Sequence, residues 1–164
     1  LEYDMIELST GIIQLPTPDL IRLIEKVKKA GLKPKPEIGI QFGAGGDTSK
    51  AELEAEGTRD PQILIDTAND CLNAGASIIM IESEGITENA DPWRTDVAAK
   101  IMKQVGMENV MFEAADPEVF SWYIKNYGID VNLFVDHSQI VQLECLRRGI
   151  WGTKSTFGRI TTHR

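Results

Sequence analysis

The stretch ASIIMIESEG at 76–85 decides the fold. Ile78, Ile79, Met80 and Ile81 follow one another without a polar break, and the run stops on Glu82. A strand with one wet face alternates apolar and polar residues. Continuous apolarity means burial on both faces, as in a parallel sheet covered by helices. Four further runs share the pattern of an apolar stretch ending at or near an acid: YDMIE (3–7), KPEIG (35–39), NVMFE (109–113) and NLFVD (132–136). Their acids are Glu7, Glu37, Glu113 and Asp136. Four of the five runs lead into a helix-like segment, a glycine and another run, the signature of an α/β protein with right-handed crossovers. Carboxylates at the carboxyl ends of adjacent parallel strands converge on one mouth. There they can hold a hard cation or handle protons.

The helices are marked by their ends. Thr17-Pro18, Asp60-Pro61, Asp91-Pro92 and Asp116-Pro117 each place a capping residue before a proline suited to the first helical position. Ser138 is expected to cap the fifth helix. Gly31, Gly75, Gly106, Gly128 and Gly149 are the expected stops. The inward stripes are Leu20, Leu23, Ile24 and Val27; Leu64, Ala68, Cys71 and Leu72; Val97, Ile101, Met102 and Val105; Phe120, Tyr123, Ile124 and Tyr127; and Val141, Cys145 and Leu146. Trp93, Trp122 and Trp151 are expected to pack helices against the sheet.

Two stretches break the rhythm. Pro34 and Pro36 cannot donate ladder hydrogen bonds, so the second strand is expected either to start at Lys35 and run to Phe42 or to end early near Ile38. The segment 43–60, GAGGDTSKAELEAEGTRD, is too long for an ordinary βα connection and is expected to form a lid over the strand ends. It lacks the spacing of a nucleotide-binding phosphate loop.

The chain of 164 residues suits one domain, 1–164, with a sizeable core. A net charge of −8 argues against a nucleic-acid partner. No apolar stretch approaches the length of a membrane helix, and no signal peptide is evident, although the sequence begins at Leu1. Cys71 and Cys145, both on apolar stripes, read as free thiols of a reducing, cytoplasmic compartment. Five βα units fit a flavodoxin-like open sheet by length, or five-eighths of a (β/α)8 TIM barrel.

From Cys71 to Arg159 the sequence resembles the phosphosulfolactate synthase family, with its relatives among plant heat-stress-associated proteins. The residues that carry the resemblance are AGASIIMIESEG (74–85), NVMFEAADPEVFSWYIKNYG (109–128), VNLFVDHSQIVQLECLRRGIWG (131–152) and TFGRI (156–160). YDMIELSTG and KAGLKPKPEIG match more loosely, in the right order. The resemblance implies a partial TIM-type barrel that starts at the family's fourth strand. It also implies Mg²⁺-dependent addition of sulfite to phosphoenolpyruvate, a step toward coenzyme M. Such a chain would be a carbon–sulfur lyase acting on a small anionic substrate, and either a homo-oligomer or part of a longer polypeptide.

On this reading Glu7, Glu82, Glu113 and Asp136 are the candidate metal ligands. Glu37, Gln41 and His137 occupy the candidate catalytic positions, and Gly152, Lys154 and Arg159 the substrate-anion positions. The sequence departs from the enzyme pattern twice. Ile40 and Gln41 stand where the synthases carry lysines, and Glu84 stands near a position that carries arginine. Gln41 cannot supply a proton at neutral pH. These departures leave open a non-catalytic, stress-associated or scaffolding relative of the same fold.

Overall fold

A computed structural model describes residues 2–9, 15–40, 49, 51 and 60–150. Its elements alternate as the runs foretell. They are β1 (Met5–Leu8), α1 (Thr17–Lys29), β2 (Lys33–Ile38), α2 (Pro61–Ala74), β3 (Ile79–Ile81), α3 (Thr95–Gln104), β4 (Val110–Glu113), α4 (Pro117–Tyr127), β5 (Leu133–Phe134) and α5 (Ile140–Arg147). The five strands form one sheet in the order β1-β2-β3-β4-β5, and the resolved pairings β1–β2, β2–β3 and β4–β5 are parallel. The chain divides into two compact units, Leu1–Met111 and Phe112–Arg164.

In the first unit α1 and α2 cover one face of the sheet. Leu20 and Ile24 of α1, and Leu64, Ile65 and Ala68 of α2, are buried with all three residues of β3. Asp60 caps α2 as its motif requires, its carboxylate accepting from the Gln62 N–H at 3.0 Å. Gly75 ends the helix in the left-handed region, at φ 101°. Lys28 of α1 reaches across this turn, and its Nζ donates to the Ala74 carbonyl at 2.9 Å. A Cβ on residue 75 would lie 2.0 Å from that Nζ. Gly75→Ala should therefore cost roughly 1–2 kcal/mol of backbone strain, besides displacing Lys28. A thermal melt should show a midpoint lower by roughly 2–8 °C; an unchanged midpoint would contradict this account of the turn.

Strand β2 starts earlier than expected and contains both prolines. The reason is the way parallel strands share hydrogen bonds. Alternate residues point their N–H and C=O groups to opposite neighbours. The Lys33 N–H donates to Asp4 O of the β1 side, whereas Pro34 and Ile38 carbonyls accept from Ser77 and Glu82 of the β3 side. Odd positions of β2 thus serve β1, where N–H donors are present. The prolines' missing donors fall on the β3 side, and the β2–β3 register involves Glu37 and Ile38, beyond them.

Other boundaries also move. The Asp91–Pro92 peptide is cis, and α3 begins at Thr95 and not at Pro92. Arg94 precedes it, forked onto the Asp96 carboxylate at 2.9 Å through both Nε and Nη2. In α1 the proline motif sits one step further in, with Pro16 at the cap position and Thr17 already helical.

In the second unit Phe112, Val119, Phe120, Tyr123, Ile124 and Val131 are buried. The Tyr123 ring lies 4.7 Å from Phe112 of β4 and 4.9 Å from Trp122, its neighbour in α4. Ser138 does not cap α5. Gln139 stands at the cap position of α5 and makes no side-chain cap bond; Asp136 caps the 3-10 turn His137–Gln139 ahead of it, its carboxylate accepting from the Ser138 N–H at 2.8 Å. The tighter turn changes the helix phase, so Leu143 and Leu146 face inward while Val141 is 70% exposed. Among the described residues Cys71 and Cys145 are free thiols, and burial pushes the Cys71 thiol up to about 11.

Candidate functional site

The site grows from the face of β1 and β2 that carries no helix. On β2 the residues Pro34, Pro36 and Ile38 are buried, while Lys33, Lys35 and Glu37 alternate to the other side. Register aligns Glu7 with Lys35, and Leu8 with Pro36, which places Ser9 beside Glu37. Two contacts express that register. Lys35 Nζ lies 2.6 Å from Glu7 Oε2, and the Ser9 hydroxyl donates to Glu37 Oε2.

The next strand adds the second acid. Glu37 aligns with Met80, so Glu82, two residues on, returns to the same face. The carboxylate oxygens of Glu37 and Glu82 come within 4.8 Å of each other. Glu82 is 7% exposed, and its Oε1 accepts from the backbone N–H groups of Ser83 at 2.9 Å and Glu84 at 3.3 Å. Those two donors hold the carboxylate in one orientation. The loop that supplies them is itself buried: Ser83, Glu84, Ile86 and Thr87 are all shielded. Ser83 Oγ donates to Glu88 at 2.6 Å, Asn89 Nδ2 donates to Glu84 at 3.3 Å, and the Arg94 N–H closes the loop on Ile86 O.

Two like charges this close, one buried, favour a cation between them. The donors are hard oxygens, the type Mg²⁺ takes. An octahedral ion with bonds of about 2.1 Å sets its ligand oxygens roughly 3–4 Å apart, which the spacing of the pair accommodates.

The other expected site residues are distributed as follows. Glu7 lies within β1 rather than at its end, and is engaged by Lys35. Glu113 is the last residue of β4, half-buried, in register with Phe134 of β5. Asp136 lies two residues beyond β5 and is half-exposed. Its carboxyl is held below the usual range by its hydrogen bonds to the Ser138 hydroxyl and N–H. His137 is 92% exposed at the side chain, 3.5 Å from Asp136. Arg147 donates to the Val131 carbonyl at 2.8 Å, a structural bond. Gln41, Trp151, Gly152, Lys154 and Arg159 lie outside the described residues, as does the 43–60 insertion apart from Ser49, Ala51 and Asp60.

Sequence reasoning passed over Lys35 and Ser9. The period-two alternation of KPKPEI, charged against apolar, was the available signal for Lys35. Nothing local marks Ser9, whose role depends on strand register.

Residues 1–153 match the family model described as (2R)-phospho-3-sulfolactate synthase (ComA). The chain belongs to the phosphosulfolactate synthase family. It is 38% identical over 157 residues to the protein HEAT-STRESS-ASSOCIATED 32 of Arabidopsis thaliana, covering 90% of this chain and 55% of that protein. It is 26% identical over 167 residues to the phosphosulfolactate synthase of Methanothermobacter thermautotrophicus, covering 98% of this chain and 60% of that enzyme. The chain thus spans little more than half the length of these family members. Among the described residues no helix is long and apolar enough to cross a membrane.

Proposed function

We propose that this chain carries the metal-binding part of a phosphosulfolactate synthase-type site within a TIM-type barrel domain, and that the whole protein adds sulfite to phosphoenolpyruvate. The observation that carries this reading is the Glu37–Glu82 pair, at the carboxyl ends of neighbouring parallel strands and turned to the face without helices. Glu113, the last residue of β4 and an acid of the same run-end pattern, is the proposed third ligand. Mg²⁺ would supply positive charge where the reaction builds negative charge. In that reaction the sulfite sulfur bonds to the methylene carbon, the displaced electron pair is delocalised into the substrate carboxylate, and a proton returns to the adjacent carbon. In this chain Ser9 orients Glu37, and the Ser83 and Glu84 amides orient Glu82.

A second reading, a relative that keeps the fold without the chemistry, is favoured by two observations. Identity is higher to the heat-stress-associated protein than to the synthase, and Ile40, at a position where the resemblance expects a lysine, is a buried apolar side chain. The test is to titrate Mg²⁺ calorimetrically and then add sulfite and phosphoenolpyruvate, following phosphorus resonances. Mg²⁺ binding with formation of phosphosulfolactate is the expected result. Mg²⁺ binding without product selects the second reading, and absence of Mg²⁺ binding rejects the metal site.

A further inference from the structure

Lys35 and Lys125 are the described lysines that are not exposed, and the Lys35 side chain is only 13% exposed. It shares a sheet face with Glu37, two residues away, and pairs with Glu7 across the strand boundary. Burying an ammonium is costly, and a partly buried ion pair returns little over an apolar pair of the same shape. As a device for stability alone, the pair is a poor choice at this position. The backbone, in contrast, is arranged to aim it. Pro34 and Pro36 flank Lys35, and the residue before a proline is confined to extended conformations, so the side chain leaves the strand in a fixed direction. That direction is the face that holds the acid pair.

Charge supplies the ligand class. Glu37 and Glu82 together carry two negative charges, which a divalent cation offsets. A small ligand with several negative charges then needs a further positive group on the same face, and Lys35 is placed to provide it. We propose that Lys35 is the anion contact of this site, its ammonium donating to a carboxylate or phosphate oxygen of the ligand. In the absence of that ligand the ammonium is paired with Glu7, which competes with the ligand for it. This proposal rests on the reading of the neighbouring acids as a metal site for an anionic substrate.

The experiment titrates phosphoenolpyruvate into the full chain with Mg²⁺ present, and Mg²⁺ alone in parallel. Lys35→Met should weaken phosphoenolpyruvate binding roughly 10- to 100-fold, the scale of a lost charge-assisted hydrogen bond, without weakening Mg²⁺ binding. Lys35→Arg should recover part of the loss. Glu7→Gln breaks the same ion pair from the other side and should leave phosphoenolpyruvate binding as tight or tighter. Equal weakening by Lys35→Met and Glu7→Gln would make the pair merely structural and overturn the proposal. So would wild-type affinity in Lys35→Met, or a wild-type chain that binds Mg²⁺ but not phosphoenolpyruvate. If Lys35→Met does not fold, weakened binding in Glu7→Gln alone overturns it. Lys35-dependent anion binding in a chain that ignores Mg²⁺ would sustain this proposal while rejecting the metal site.

Discussion

Glu82→Gln should lower Mg²⁺ affinity about 100-fold or more while leaving the fold intact. Residues that merely support a metal ligand are worth roughly 10- to 100-fold, so loss of a buried ligand charge should exceed that range. Gln retains an Oε1 that can accept from the Ser83 and Glu84 amides, so the loop loses no hydrogen bond that the carboxylate made there. The charge repelled by Glu37 disappears. Without metal, the variant should therefore melt no lower than the wild type. With Mg²⁺ at about 100 times its dissociation constant, the wild type should gain roughly 2.7 kcal/mol and the variant almost none. Differential scanning calorimetry with and without Mg²⁺ reads both halves. Equal stabilisation of the two chains would show that the cation, if it binds, binds elsewhere.

Phe112→Ala should produce the largest loss of stability. The ring is 1% exposed in β4 and stacks at 4.7 Å against Tyr123, which in turn meets Trp122 and Tyr127. Removing it leaves a cavity beside the Tyr123 ring, which its contacts with Trp122 and Tyr127 hold in place. Substitutions of this kind cost roughly 3–5 kcal/mol, a large part of the 5–15 kcal/mol that holds a typical domain together. The melting midpoint should fall by roughly 6–20 °C. Phe112→Leu, which keeps much of the volume, should lose considerably less. If the alanine variant melts within 2 °C of the wild type, measured to that precision, the aromatic cluster is not the core of this unit.

Much of the order of elements was legible because its signals are local. An apolar run such as 78–81 reports burial on both faces from four side chains, and Asp60-Pro61 with Gly75 brackets α2 by conformational preference alone. The same local logic failed at Asp91-Pro92, because an Asp-Pro pair serves a turn as readily as a helix start, and at Ser138, because a 3-10 turn capped by Asp136 takes up His137–Gln139 and puts Gln139 at the cap position of α5. It failed again in α5, where a 3-10 turn reset the helical phase and left Val141 exposed.

The acids at 37 and 82 were visible as residues of the right type, each following an apolar run. That they approach within 4.8 Å, and that Glu7 faces Lys35, depends on strand register. So does the tolerance of Pro34 and Pro36, whose missing donors face the side where β3 pairs beyond them. Composition and periodicity specify what each segment becomes, since propensity and burial act over a few neighbouring residues. Which side chains meet is set by pairing between residues far apart in the chain, as Glu7 with Lys35 and Glu37 with Met80. A shift of one residue there would turn every carboxylate to the opposite face.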